Sequence, residues 1–315
     1  MEQTNAKVKG TGLKKRQKDM IFVACLVTLP LIHYLIFYIY VNFNSILLAF
    51  QQYTNGVYIW CDNWYDNFVW LWNEFDLYGA MGTNLLANGV KNSLTYYVIH
   101  TAVGTTATLF FSYYIFKRRF ASKTFKVILF LPSVISAIAI TLSFKLCTNF
   151  AVPEIVESIT GNAIPGLTSE GSPIIFGTIV FYGIWVGFGS GMLLYSGAMG
   201  NISDSVIEAA QIDGASEIKQ FTSICVPLVF PTLTTFIVNG IATLFASDRH
   251  LYAFYGCAAP RDCWTFGYWL IKLTRDSLKT EMAHPATIGI FLTVFTIPLT
   301  FFVRWLLKKL GPSTI

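Results

Sequence analysis

Apolar residues fall into six long blocks along this chain, and the charged residues collect between them. The blocks run Met20–Phe43, Leu94–Phe116, Val127–Phe144, Ile174–Tyr195, Val226–Ala246 and Ala286–Leu307. A helix rising about 1.5 Å per residue needs roughly 20 apolar residues to cross a hydrocarbon layer of about 30 Å. The pattern predicts an all-α polytopic membrane protein with about six transmembrane helices. Pro132 falls early in the third block, and Pro227 and Pro231 early in the fifth. The fourth block carries Gly183, Gly187, Gly189 and Gly191. Inside a bilayer such residues are tolerated where neighbouring helices satisfy the backbone, and glycines let another helix approach closely. The glycines equally suit a mobile wall of a solute path.

Composition supports the same class. Only 12% of the 315 residues are charged, about half the share of a soluble domain. Mean hydropathy is +0.54. The net charge of +5 comes from two clusters, Lys7 to Lys18 and Lys117 to Lys126, each flanking an apolar block. That is the placement of cytoplasmic Lys and Arg beside spans, not of a nucleic-acid surface. The basic tail 1–19 resembles the start of a signal peptide, but the apolar run after it is too long and lacks a small-residue cleavage site. Both termini are therefore expected on the cytoplasmic side. The acidic segment 44–93, with Asp62, Asp66, Glu74 and Asp76, is expected outside, as is 145–173 with Glu154, Glu157 and Glu170. The segment 247–284 mixes signs, and its Trp264, Tyr268 and Trp269 suggest a stretch lying along the membrane interface.

The search for catalytic chemistry finds no phosphate-binding G-x-x-x-x-G-K-[ST], no H-E-x-x-H zinc site and no G-x-S-x-G nucleophile elbow. The four histidines are scattered, and no cysteine pair has zinc spacing. No catalytic or metal site is expected. Cys257 and Cys263 share one polar loop and are either a disulfide or free thiols.

The most informative stretch is 202–227, ISDSVIEAAQIDGASEIKQFTSICVP, between the fourth and fifth blocks. It reads as two short helices joined at Gly214. Asp204 or Ser205 is placed to cap the first helix, Ser205 with Glu208 fits a capping box, and Ser216 is placed to cap the second. Ala209 and Ala210 leave room for a partner surface, and Glu208 and Asp213 offer acceptors for a partner arginine.

Those residues match the EAA motif of the permeases of binding-protein-dependent ABC importers. Glu208, Ala209, Ala210, Gly214, Ile224, Val226 and Pro227 stand at its positions, with Val226 in place of leucine. Asn92–Leu94 resembles the opening of the core permease region, and Leu131–Ser133 the third-span signature of the first-permease subfamily of maltose transporters. Phe245–Pro260 is similar to that subfamily's Phe-Asp…Gly-Gly-Pro pattern, with Ala258 and Ala259 where glycines stand. The resemblance implies a bacterial inner-membrane importer for a carbohydrate or oligosaccharide, with a core permease domain over 94–308 and a short cytoplasmic tail over 309–315. Its implied partners are a second, different permease, two ATPase subunits docked on the 202–227 loop, and an extracellular solute-binding protein. It implies no cofactor in this chain, since ATP and Mg bind the ATPases.

For the solute path, polar and aromatic faces of the later spans are the candidates. Asn239 and Thr243 share one face of the fifth block, and Tyr182 and Trp185 one face of the fourth. A permease for amino acids or metal ions is the near alternative. A secondary transporter would need carboxylates near the middle of a span, and no block has one. A membrane enzyme would need a convergent catalytic set, which is also missing.

Overall fold

The computed structural model describes residues 15–82, 84–276 and 281–312. Lys7, Lys9 and Lys14 of the basic tail lie outside them. Helix α1 (Lys15–His33) passes through a π-helical stretch, Tyr34–Tyr40, into α2 (Val41–Leu48), making one apolar rod. The most apolar window of that rod has no buried residue. A helix that turns Leu, Ile and Phe outward all round is suited to lipid rather than to water. A hairpin follows, β1 (Gln51–Thr54) paired antiparallel with β2 (Val57–Trp60). Its two-residue turn, Asn55–Gly56, has positive φ at both positions, which is what a tight hairpin asks of an Asn-Gly pair. Helix α3 (Asp66–Ala80) packs on the end of the chain.

Helix α4 (Leu85–Ile99) runs without a break through a π-helical stretch, His100–Thr105, into α5 (Thr106–Phe116). It starts earlier than the expected span because Asn84 caps it, its Oδ1 accepting from the Ala87 N–H at 2.9 Å. The buried Asn92 amide donates to the carbonyls of Asp262 (2.7 Å) and Trp264 (2.9 Å) and pins this helix to a segment 170 residues away.

The expected third span, 127–144, is two helices. Helix α6 (Ser122–Val134) stops just after Pro132, and Ile135 is extended. Proline gives no N–H to the preceding turn, which weakens the helix there. The chain restarts as α7 (Ala137–Leu146), a π-helical stretch Cys147–Ala151, and α8 (Val152–Thr160). Ala137–Thr160 is the part apolar and long enough to cross a membrane, so half of the expected 145–173 loop is helix.

Helix α9 (Ile175–Met199) is the most enclosed of the long helices, with α5 and α6 on it. At Gly189 a Cβ would lie 2.6 Å from the Leu129 carbonyl oxygen and 2.7 Å from Phe130 Cα, so α6 crosses where a side chain has no room. Then come α10 (Asp204–Ile212), α11 (Glu217–Gln220), a π-helical stretch Phe221–Cys225, α12 (Val226–Leu228) and α13 (Phe230–Ala242). The axis bends by 66° between α12 and α13, beside Pro227 and Pro231. Helices α14 (Leu251–Tyr255), α15 (Phe266–Asp276) and α16 (Ala283–Leu310) complete the chain.

Among the described residues, four helices are long and apolar enough to cross a membrane, or five with the bent pair counted. The remaining block of the expected six is α4–α5. It is long, but Tyr97, His100, Thr101, Thr105 and Thr108 dilute its apolar run.

The larger core joins α3, α4, α9, α15 and α16 around Trp269, Tyr268 and Phe266. The aromatic residues that suggested a stretch of 247–284 along the membrane interface are core residues instead. Trp264, Tyr268 and Trp269 are buried. The Tyr268 hydroxyl donates to the Gly256 carbonyl (3.0 Å) and accepts from the Ala259 N–H (2.9 Å), and the Trp264 indole donates to the Ala259 carbonyl (2.8 Å). These bonds fold the loop inward. Cys257 and Cys263 are free thiols.

Candidate functional site

Two features concentrate the chemistry: the helix pair α10–α11 and a cavity beside α9. The helix pair is built as the sequence implies, with one difference at its start. Ser203, with extended backbone, holds the cap position, and Asp204 already belongs to the helix. Ser205 bonds the Ser203 hydroxyl at 2.7 Å, so neither Asp204 nor Ser205 caps, and no capping box forms with Glu208. The turn between the helices closes with two bonds, Ala215 N–H to Ala210 carbonyl (2.9 Å) and Gly214 N–H to Gln211 carbonyl (3.0 Å). That pattern needs a left-handed residue at Gly214, whose φ is +74°. Ser216 caps α11, its Oγ accepting from the Lys219 N–H at 3.4 Å.

The pair has an inner and an outer face. Ile207 and Ala210 are buried, and Ile207 packs with Tyr113, Tyr195, Met199 and Cys225. Glu208, Ala209 and Asp213 are exposed, flanked by Ile212 and Ile218, which are 86% and 76% exposed. Two bare isoleucines thus stand on either side of the exposed Glu208 and Asp213. Among the described residues Glu208 and Asp213 have no salt bridge.

Sequence reasoning missed how this pair is held. Gln220 is nearly buried and donates from Nε2 to the Ala215 carbonyl (2.7 Å), while its Oε1 accepts from Lys117 Nζ (2.9 Å). Tyr113 donates to the Glu217 carbonyl (3.3 Å), and Arg119 pairs with Glu217. The basic turn after α5 is thus a brace for the helix pair as well as a flank of a span.

The cavity, about 330 Å³, lies between α4–α5, α9 and α13. Asn239 and Thr243 line it. Gly187 and Gly191 form part of the α9 wall. Tyr182 and Trp185 stand outside it. They share a face, with rings 6.2 Å apart, but that face turns toward α7 and α14, where Tyr182 bonds Thr141 (2.6 Å) and packs on Phe254 (4.9 Å). The cavity draws instead on Tyr97, His100, Thr101, Thr105 and Thr108. Their near-helical spacing in an apolar block was a signal for a polar stripe.

Comparison with known proteins bears on both features. Residues 100–315 match the model of the family described as binding-protein-dependent transport system inner membrane component. The chain belongs to that family. This permease component is 24% identical over 246 residues to the lactose transport system permease protein LacF of Rhizobium radiobacter, covering 75% of this chain and 77% of that one. It is 22% identical over 270 residues to the multiple sugar-binding transport system permease protein MsmF of Streptococcus mutans, covering 84% and 88%. Its fold resembles a chain of a bacterial ABC transporter involved in the import of the acidic polysaccharide alginate, with TM-score 0.73, 19% identity, and coverage of 95% and 100%. The family match spans α10–α11 and most of the cavity wall. On the wall of that cavity the permease component also places Arg249, half-buried, with φ at +52°. Burial pushes its guanidinium down from the usual arginine range, against the pull of Tyr96 and Asp248.

Proposed function

We propose that this chain is the transmembrane permease subunit of an ATP-driven, solute-binding-protein-dependent importer for a carbohydrate or oligosaccharide. The single observation that carries the reading is the α10–α11 pair. Its turn is closed at Gly214, its second helix is capped by Ser216 and braced by Lys117 and Tyr113, and it is bare on the face that holds Glu208, Ala209 and Ile212. A rigid element with an unsatisfied outer face transmits a push without absorbing it. Its occupant is a separate ATPase subunit, which holds ATP and Mg; an ATPase arginine meets Glu208 and Asp213, and the small, exposed Ala209 lets the ATPase surface come close, whereas Ala210, expected beside it, belongs to the buried inner face.

ATP binding draws two such ATPases together and tilts this subunit against a second, different permease, so that the cavity opens alternately to each side. A binding protein delivers the solute from outside. Both termini and 202–227 face the cytoplasm in this arrangement, and 44–93 faces outward. Sugars are favoured by the relatives named for lactose and multiple-sugar transport, and by the cavity's hydroxyl and amide groups. The decisive test is uptake of labelled oligosaccharides into proteoliposomes holding the four-part complex, with binding protein outside. Uptake that needs ATP is expected. Equal uptake without ATP, or none for any saccharide, overturns the reading. In the same preparation, a cysteine at Asp66 is expected to label from outside and one at Lys123 not to; the reverse overturns the orientation.

A further inference from the structure

We infer that Arg249 is an anion-recognition residue of the solute path, and that the imported saccharide carries a negative charge, as a uronate carboxylate or a phosphate. This rests on the reading of the chain as a saccharide permease and adds the charge class of the cargo.

Among the described residues, those that line the cavity include Arg249 and no aspartate or glutamate. Arginine keeps its charge at any physiological pH, so the space is permanently cationic. The fork is only partly satisfied from within the chain. Its Nη2 donates to the Leu244 carbonyl at a long 3.4 Å, and its plane lies over the Tyr96 ring at 5.0 Å. Among the described residues the buried Nε has no hydrogen-bond partner. The nearest acid in sequence is committed elsewhere, since Asp248 Oδ2 accepts from the Tyr252 N–H at 3.1 Å. Among the described residues no carboxylate lies within salt-bridge distance of Arg249.

The backbone shows that this placement is specified. Arg249 and His250 are successive non-glycine residues with φ of +52° and +67°, a conformation side chains with a Cβ rarely adopt. A half-buried guanidinium at the wall of a cavity favours a charged, bidentate acceptor over a hydroxyl. Asn239, Thr243 and Thr101 on the other walls offer groups for the sugar's neutral hydroxyls. A volume of about 330 Å³ falls within the roughly 300–1,000 Å³ of small-molecule sites.

The test is ATP-dependent uptake by the complete complex in proteoliposomes, with wild type, Arg249→Gln and Arg249→Lys. Three cargoes are compared: a trigalacturonate, its methyl ester, and a phosphorylated disaccharide. The expected result is that wild type takes up at least one anionic cargo. Arg249→Gln should then lower uptake of that cargo at least tenfold, mainly through a raised half-saturation concentration. Arg249→Lys should restore part of it, because the charge returns without the fork. Dependence on Arg249 for trigalacturonate assigns the carboxylate, and for the phosphorylated sugar alone the phosphate. ATP-dependent uptake of the neutral ester only, or equal loss for charged and neutral cargo in Arg249→Gln, overturns the inference and leaves the importer reading standing. No ATP-dependent uptake of any saccharide overturns the importer reading itself.

Discussion

Arg119, in the turn that leaves α5, forms an ion pair with Glu217, the first residue of α11. Both side chains are about half exposed, so the pair is worth well under about 1 kcal/mol. The bond that matters for holding α11 is its neighbour. Gln220 is almost fully buried and satisfies the Ala215 carbonyl and Lys117 together.

Replacing Gln220 by leucine is therefore expected to cost more than replacing Glu217 by alanine. Stranding a buried polar partner costs about 1–3 kcal/mol, against under about 1 kcal/mol for the exposed pair. The loss should appear as weaker co-purification of the ATPase and earlier thermal inactivation for Gln220→Leu, with Glu217→Ala near wild type. Equal behaviour of the two variants would remove Gln220 from the brace.

At Gly214 the strain is in the backbone alone. A Cβ there would meet nothing within 4 Å, but φ is +74°. Valine at such a position costs about 1–3 kcal/mol and turns α11 away from its direction. Asparagine, which tolerates the left-handed region, should be close to neutral. Glu208→Ala removes only one side of a partly wet contact. The expected order of damage to solute-stimulated ATP hydrolysis is Gly214→Val, then Glu208→Ala, then Gly214→Asn. Wild-type hydrolysis in both of the first two would refute the coupling role of this segment.

The helix pair was legible because its information is local. Gly214, Ser216 and the spacing from Glu208 to Pro227 each dictate a conformation within a few residues. The cavity was half legible. Asn239 and Thr243 share a face by helical periodicity, and they do line the space. Tyr182 and Trp185 obey the same periodicity, but which way a face turns depends on neighbours, and α7 and α14 took it. Arg249 was hidden for another reason. In sequence it is one more cation in a mixed loop, and no local pattern marks it as a residue of the cavity wall. The break of the third block at Ile135 was signalled by Pro132, yet proline inside an apolar run is equally compatible with a continuous, kinked helix.

Gly189 offers a test of packing separate from function. A Cβ there would press on the α6 backbone at 2.6–2.7 Å, which cannot move aside as a side chain can. Gly189→Leu should force α6 and α9 apart, at an overpacking cost of about 1–3 kcal/mol or more. Gly177, on the same helix, would place a Cβ in open space, and Gly177→Ala should be neutral or slightly stabilising. Resistance to protease in detergent measures both. Equal resistance of Gly189→Leu and wild type would mean that the two helices do not cross here.

The cavity makes a prediction that the shared faces of the sequence do not. Asn239 lines it and Trp185 does not. Trp185 instead lies against Phe144, with ring centroids 5.8 Å apart. Losing one neutral hydrogen bond to a solute costs about 0.5–1.5 kcal/mol, or roughly two- to tenfold in affinity. Asn239→Ala should therefore raise the half-saturation concentration for uptake several-fold, with the maximal rate changed less. Trp185→Ala leaves the cavity wall intact and opens a gap on the α7 side, so it should lower thermal stability while uptake constants stay within about twofold. Tyr182→Phe should change stability in the same direction but less, since it removes one buried hydrogen bond while the Thr141 hydroxyl keeps its bond to the Ala137 carbonyl. Steady-state uptake beside a thermal inactivation curve separates the two classes. A shifted half-saturation concentration for Trp185→Ala with none for Asn239→Ala would place the solute on the other face of α9, against α7 and α14.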